Sequence, residues 1–234
     1  LFIESTLKIN AEEKPSLRYG AFAQGLLSLH SADFSRFNDI AFCCPQNFSD
    51  VQSQTGSGFT VGGMLEMPSM LLDGRFALQF HLGAMFQTVK LAQLQETVFN
   101  NNLNGNTSEK GVFEYSIQNN FSHIVAEVLP TLRIGKKLSI HAGIGFGYAL
   151  QKSFIQKETI VSPSEAYFFE SPSTYLKERN KSEGDVPGAA SFIVNPIMGI
   201  SYEIPLNEEG TIILAPESFF RLGLLNVSES LRGG

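Results

Sequence analysis

Apolar and polar residues alternate along most of this chain with a period of two. From Phe76 to Phe86, Phe76, Leu78, Phe80, Leu82, Ala84 and Phe86 fall on one face, and Ala77, Gln79, His81, Gly83 and Met85 on the other. That period predicts a β-strand with one apolar face. The pattern recurs. Ile124, Ala126, Val128, Pro130, Leu132 and Ile134 alternate with Val125, Glu127, Leu129, Thr131 and Arg133. Leu138, Ile140, Ala142, Ile144, Phe146, Tyr148 and Leu150 alternate with Ser139, His141, Gly143, Gly145, Gly147 and Ala149. Phe192, Val194, Pro196, Met198, Ile200, Tyr202 and Ile204 alternate with Ile193, Asn195, Ile197, Gly199, Ser201 and Glu203.

Seven strands are predicted: Ser16–His30, Phe59–Met67, Arg75–Val89, Val112–Ile134, Leu138–Leu150, Ala189–Ile204 and Thr211–Asn226. Their connections alternate in length. Pro68–Gly74, Gly135–Lys137 and Pro205–Gly210 are short and hold the Pro, Gly, Asp and Asn of tight turns. Ser31–Gly58, Phe99–Gly111 and Gln151–Pro187 are long and polar. Outer-membrane barrels segregate short and long connections to opposite ends in this way. A strand of about 11 residues tilted near 45° crosses a bilayer. The expected fold is therefore all-β, an antiparallel up-and-down transmembrane barrel of eight strands. Residues 1–15 form a periplasmic segment or an extra strand, and 16–234 form the barrel domain. The eighth strand is either the alternating Leu1–Asn10 segment or one that follows Gly234. The loop topology favours the second.

Composition agrees with a membrane location. The chain has 234 residues, of which only 17% are charged, against about 25% in soluble domains. No run is apolar enough for a transmembrane helix, and barrel strands give a much weaker signal per segment. The net charge of −6 and the lack of a basic stripe argue against nucleic acid.

The segments LRYGAFAQGLLSLHSADF, CCPQNF, GSGFTVGGMLEMP and VLPTLRIGKKLSIHAGIGFGYAL resemble the outer-membrane β-barrel domains of the PorT and OmpA-like type, from Bacteroidetes- and Chlorobi-related bacteria. The resemblance covers about Ser16 to Arg232. It implies a barrel in a Gram-negative outer membrane, exported by a signal peptide, and permits a role in an envelope assembly. In that family the last strand follows the point where this sequence stops.

With lipid outside, the second face lines the lumen. Its polar set is Arg18, Glu66, Gln79, His81, Glu127, Arg133, His141, Asn195, Glu203, Glu217 and Arg221. Buried charges must be paired, and eight strands leave an interior that side chains fill. A near-neutral plug of ion pairs is expected rather than a conducting pore. The lipid-facing set includes Phe76, Leu78, Phe80, Leu82, Phe86, Ile140, Ile144, Phe146 and Tyr148. Tyr19, Phe59, Phe76, Phe86, Tyr148, Phe192 and Tyr202 stand near strand ends, where aromatic girdles meet the interface.

Enzyme and cofactor motifs do not survive placement. GIGFG at Gly143–Gly147 lies within a strand rather than at a strand-to-helix turn, and GSGFTVGG shares that defect. The four histidines lack zinc-ligand spacing. His30, Ser31, Asp33 and Asp39 at one rim are too commonplace to define a catalytic site. Cys43 and Cys44 are either a vicinal disulfide in an oxidising compartment or two thiols without chemistry. The function expected is non-enzymatic, without cofactor or metal: an envelope anchor, scaffold or binding protein acting through long extracellular loops. Its partners are outer-membrane lipid and other envelope proteins. The alternatives are a soluble lipocalin-like barrel and a small pore.

Overall fold

The computed structural model describes residues 2–7, 17–30, 54–69, 75–101, 107–135, 137–171, 174–186 and 188–223. Among them the secondary structure is all-β, with no helix. Twelve strands follow in order: β1 (Phe2–Leu7), β2 (Arg18–His30), β3 (Gln54–Pro68), β4 (Phe76–Asn101), β5 (Thr107–Ile134), β6 (Leu138–Ser162), β7 (Phe168–Ser171), β8 (Thr174–Leu176), β9 (Glu178–Asp185), β10 (Phe192–Tyr202), β11 (Ile204–Pro205) and β12 (Ile212–Arg221). The main sheet runs β1-β2-β3-β4-β5-β6-β10-β12, and every pairing in it is antiparallel. Strand β1 has neighbours on both edges: β2 across Ile3–Ser5, and β12 across Phe2–Leu7. The N-terminal segment thus takes the place beside β12 that the sequence reading assigned to a strand after Gly234. The short β7–β8 hairpin forms its own sheet.

Short turns follow the chemistry of their residues. Gly210 adopts a φ of 64°, which a side chain disfavours. Its N–H donates to the Asn207 carbonyl at 3.0 Å, and the Asn207 side-chain oxygen accepts from the Ile212 N–H at 2.9 Å.

Three strands are longer than the alternation predicts. Strands β4, β5 and β6 have 26, 28 and 25 residues. Pairing runs on past the predicted ends at Val89, Val112 and Leu150. The β4–β5 ladder continues without interruption from Phe76↔Leu132 to Asn101↔Thr107, so most of the predicted Phe99–Gly111 loop is strand. The predicted Gln151–Pro187 loop likewise holds the end of β6 and β7 to β9. Past the end of β10, the freed edge of β6 pairs with β9. The region β4–β5–β6–β9 thus projects beyond the rest of the sheet.

A bulge separates the two regions of β6. Ser122 pairs with Gln151 and His123 with Ala149, which leaves Leu150 as the extra residue. One extra residue reverses the faces of everything beyond it. Accordingly Ser139, His141 and Ala149 are buried before the bulge, and Phe154, Gln156, Glu158 and Ile160 after it. In the projecting region Ile117, Phe121, Phe154 and Val186 pack together, and Phe113, Ile160 and Phe168 form a second cluster.

Candidate functional site: a polar inner face and an apolar outer face

The alternation assigns faces correctly along the shared strands. On β4, Ala77, Gln79 and His81 are buried, whereas Leu82 is 63% exposed and Phe86 is also exposed. On β6, Ile140, Ile144, Phe146 and Tyr148 are all exposed. Phe76, Leu78 and Phe80 are half-buried on that same outer face. The outer positions of β2, β3, β10 and β12 carry Leu27, Val61, Met198 and Phe220, all exposed. From Phe76 to Phe86, Ile124 to Ile134 and Leu138 to Leu150 this face has no charged residue.

The belt has edges. Immediately beyond Phe86 and Ile124 the outer face turns polar. Thr88 donates to the Asn120 side-chain oxygen at 3.0 Å, and Lys90 pairs with Glu114 at 2.6 Å. Near this edge Phe59 stacks on Phe86 with centroids 5.0 Å apart, and Tyr148 meets Phe192 at 5.1 Å. At the opposite, short-turn edge stand Tyr19, Phe76 and Tyr202, with the Lys137 ammonium 5.8 Å from the Tyr202 ring.

The inner face carries the predicted polar set in two ion-pair clusters. Glu66 is the centre of the first. It accepts from Gln79 Nε2 at 2.9 Å, pairs with Arg18 at 3.3 Å, and pairs with Arg133. Arg18 also donates to Glu203 at 2.7 Å, which ties β2 to the end of β10 across the concave side. Glu127 is the centre of the second. Arg221 donates to it through Nε at 3.0 Å, with Nη2 in ion-pair contact at 2.9 Å, and His81 Nδ1–H donates at 3.2 Å. Arg221 Nη2 further donates to Gln24 Oε1 at 2.8 Å. Each guanidinium therefore meets a carboxylate, the arrangement that makes buried charge tolerable.

His141 is held between two hydroxyls, Thr131 at 2.9 Å and Ser201 at 2.8 Å. Thr131 donates its own proton to the Leu129 carbonyl at 3.1 Å. Its oxygen therefore accepts from His141 Nδ1–H, and His141 Nε2 shares a hydrogen bond with the Ser201 hydroxyl. Phe219 lies against both histidines, 6.3 Å from His81 and 5.6 Å from His141, and packs with Leu129 and Ile197. Apolar side chains thus fill the space between the polar groups.

Like His141, Asn195 and Glu217 share the inner face but join neither ion-pair cluster among the described residues, and Glu217 Oε2 is buried without a hydrogen-bond partner there. Sequence reasoning missed Gln24, Thr131 and Ser201. All three are neutral, and all three occupy inner positions of the same alternation that identified their charged neighbours. Cys43 and Cys44 lie outside the described residues, as do Ser31, Asp33 and Asp39. No group of three or more His, Cys, Asp or Glu side chains suited to a metal occurs among the described residues. No protein-family model, curated protein or solved structure matches this chain.

Proposed function

We propose that this chain is an eight-stranded β-barrel of a Gram-negative outer membrane, which acts without catalysis as an envelope anchor, scaffold or binding protein. On this reading strands β1 to β6, β10 and β12 make up the ring, and the β1–β12 pairing would close it. The observation that carries this reading is the inverted polarity of the sheet. Charged pairs occupy the inner face, and a charge-free apolar belt occupies the outer one. A soluble barrel has the reverse arrangement, and soluble proteins rarely expose contiguous apolar patches of more than a few hundred Å². From Phe76 to Phe86 the belt spans about 25 Å at a strand tilt near 45°, the height of a barrel's lipid-facing band. Aromatic pairs at its edges suit the two interfaces. Ion pairs and the Leu129–Ile197–Phe219 cluster fill the lumen, which favours anchorage over conduction. The projecting strands and long connections then provide the surface for partners.

The chain contains no tryptophan, so single introduced indoles report position. Leu82→Trp and Gln118→Trp chains, refolded into vesicles, are compared using lipids with brominated acyl chains. Quenching of the first alone is the expected result. Equal accessibility to an aqueous quencher, or a chain that stays monomeric without detergent, would overturn the membrane reading.

A further inference from the structure

Strand β1 joins β2 to β12 only near the short-turn end. It meets β2 across Ile3–Ser5 and β12 across Phe2–Leu7. Beyond it, β2 continues through Gln24–His30 and β12 through Ser218–Arg221. Both are paired there on their far edges, to β3 and β10. On the edges that face each other, no strand lies between them among the described residues. Where β1 bonds both, the two strands stand two inter-strand spacings apart, about 10 Å. The Arg221–Gln24 hydrogen bond of 2.8 Å spans them on the inner side just beyond. The opening is therefore one strand wide.

The register of β1 carries on into it. Ser5 lies between Ala21 and Leu214, and Ile3 between Ala23 and Pro216. Continued in step, the outward positions of the opening fall between Leu27 and Phe220 and between Leu29 and Leu222. Leu27, Leu29 and Phe220 are 81%, 77% and 66% exposed, more than any other large apolar side chain described. The inward positions fall between Leu26 and Phe219 and between Ser28 and Arg221. The Arg221 guanidinium lies 5.3 Å from the Phe219 ring, so both inward positions adjoin a cation.

We infer that this opening accepts one extended strand of a partner protein, antiparallel to β2 and β12, with apolar residues outward and hydrogen-bond acceptors inward. Both open edges continue ladders that β1 already makes, so strand addition leaves β1 in place. On the membrane reading proposed above, backbone groups on these edges need backbone partners, which an acyl chain does not supply. In water the same edges are templates for addition. An inward carboxylate complements Arg221, whereas a lysine there meets like charge.

The probe is the acetylated and amidated peptide Thr-Val-Glu-Leu-Ser, whose Val and Leu point outward when Glu faces Arg221. The chain is titrated with it in detergent micelles, or in buffer if the chain needs none. Hydrogen exchange is followed at those amides of 25–29 and 218–222 that do not bond to β3 or β10. Their exchange should slow about tenfold at saturation, with 59–65 and 80–86 unchanged. The same peptide with lysine for glutamate should bind about tenfold more weakly. A peptide with apolar and polar positions interchanged should not bind, because it turns its apolar residues inward. Three results overturn the inference. One is protection of 25–29 in the chain alone, which means that the opening is already filled in cis. The others are no slowing at millimolar peptide, and equal binding by all three peptides. The membrane reading is separable: slowing in buffer, by a chain that needs no detergent, keeps the strand site and removes the lipid argument.

Discussion

Glu127 receives one hydrogen bond and an ion-pair contact from Arg221 and one hydrogen bond from His81 in a site that is almost fully buried. Its removal leaves a guanidinium without its counter-charge. Glu127→Leu is expected to cost about 3–5 kcal/mol, the range for breaking one side of a buried ion pair. Glu127→Gln keeps an acceptor oxygen and should cost clearly less. Urea unfolding of both variants in vesicles measures the difference. Backbone approach is as demanding as charge. A Cβ on Gly143 would stand 2.0 Å from the Val128 carbonyl oxygen, whereas one on Gly63 meets nothing nearer than 3.8 Å. The contact at Gly143 is backbone, so no rotamer relieves it. Gly143→Ala should therefore exceed the about 1–3 kcal/mol typical of overpacking, and Gly63→Ala should stay within about 0.5 kcal/mol. The same unfolding experiment ranks them. Opposite Gly143 the β5–β6 register omits Leu129 and Pro130. Pro130 has no N–H to donate, so the ladder loosens there while the two backbones remain close.

One buried carboxylate reinforces the pairing of strand β9 with β6. Glu158, 1% exposed, accepts from Arg179 Nε and Nη2 at 2.8 Å each and from Asn180 Nδ2 at 2.8 Å. The Arg179 guanidinium lies 4.1 Å from the Phe168 ring centroid. Arg179→Ala should release β9 and the Phe168 contact, seen as faster hydrogen exchange in 178–185 with β10 and β12 unchanged. Burial, then the neighbouring Glu158 carboxylate, push the Tyr115 phenol above its ordinary pKa. A raised pKa means that its contribution is fully present below about pH 10 and is lost as pH climbs through the folded value. The β9 end should loosen at strongly alkaline pH, and Tyr115→Phe should remove that step from an exchange–pH profile. None of this was legible in the sequence. LKERNKSEGD reads as a solvated loop, because a charge run gives no sign that one distant glutamate will bury itself against it. The bulge at Leu150 is equally silent, since a reversal of faces shows only once the partner strand is known. The faces of the shared strands were legible, because apolar residues outside and paired charge inside keep a strict alternation. Strand ends were not, because beyond the belt the outer face carries polar residues as well and the alternation loses its contrast.

At the scale of the molecule, the outer face is informative because it is uniform across strands far apart in sequence. Leu82 on β4, Ile144 on β6 and Met198 on β10 are each well exposed and carry no polar neighbour on that face. If water met that face, an arginine at any of them would be an ordinary surface change worth about 0.5 kcal/mol or less. If lipid meets it, the cost depends on depth: about 2–4 kcal/mol for arginine near the midplane, falling towards zero at the interfaces. Leu82→Arg and Ile144→Arg should therefore be costly, and Phe86→Arg less so. Thr88→Arg, one step past the belt's edge, should be nearly neutral. Refolding yield and urea unfolding in vesicles give the profile. Depth dependence is the discriminating quantity, because the introduced residue is constant while its distance from the middle of the belt changes. A flat series would mean that the face meets water or a protein partner, whereas a cost peaking between Phe76 and Phe86 would locate the bilayer on the molecule.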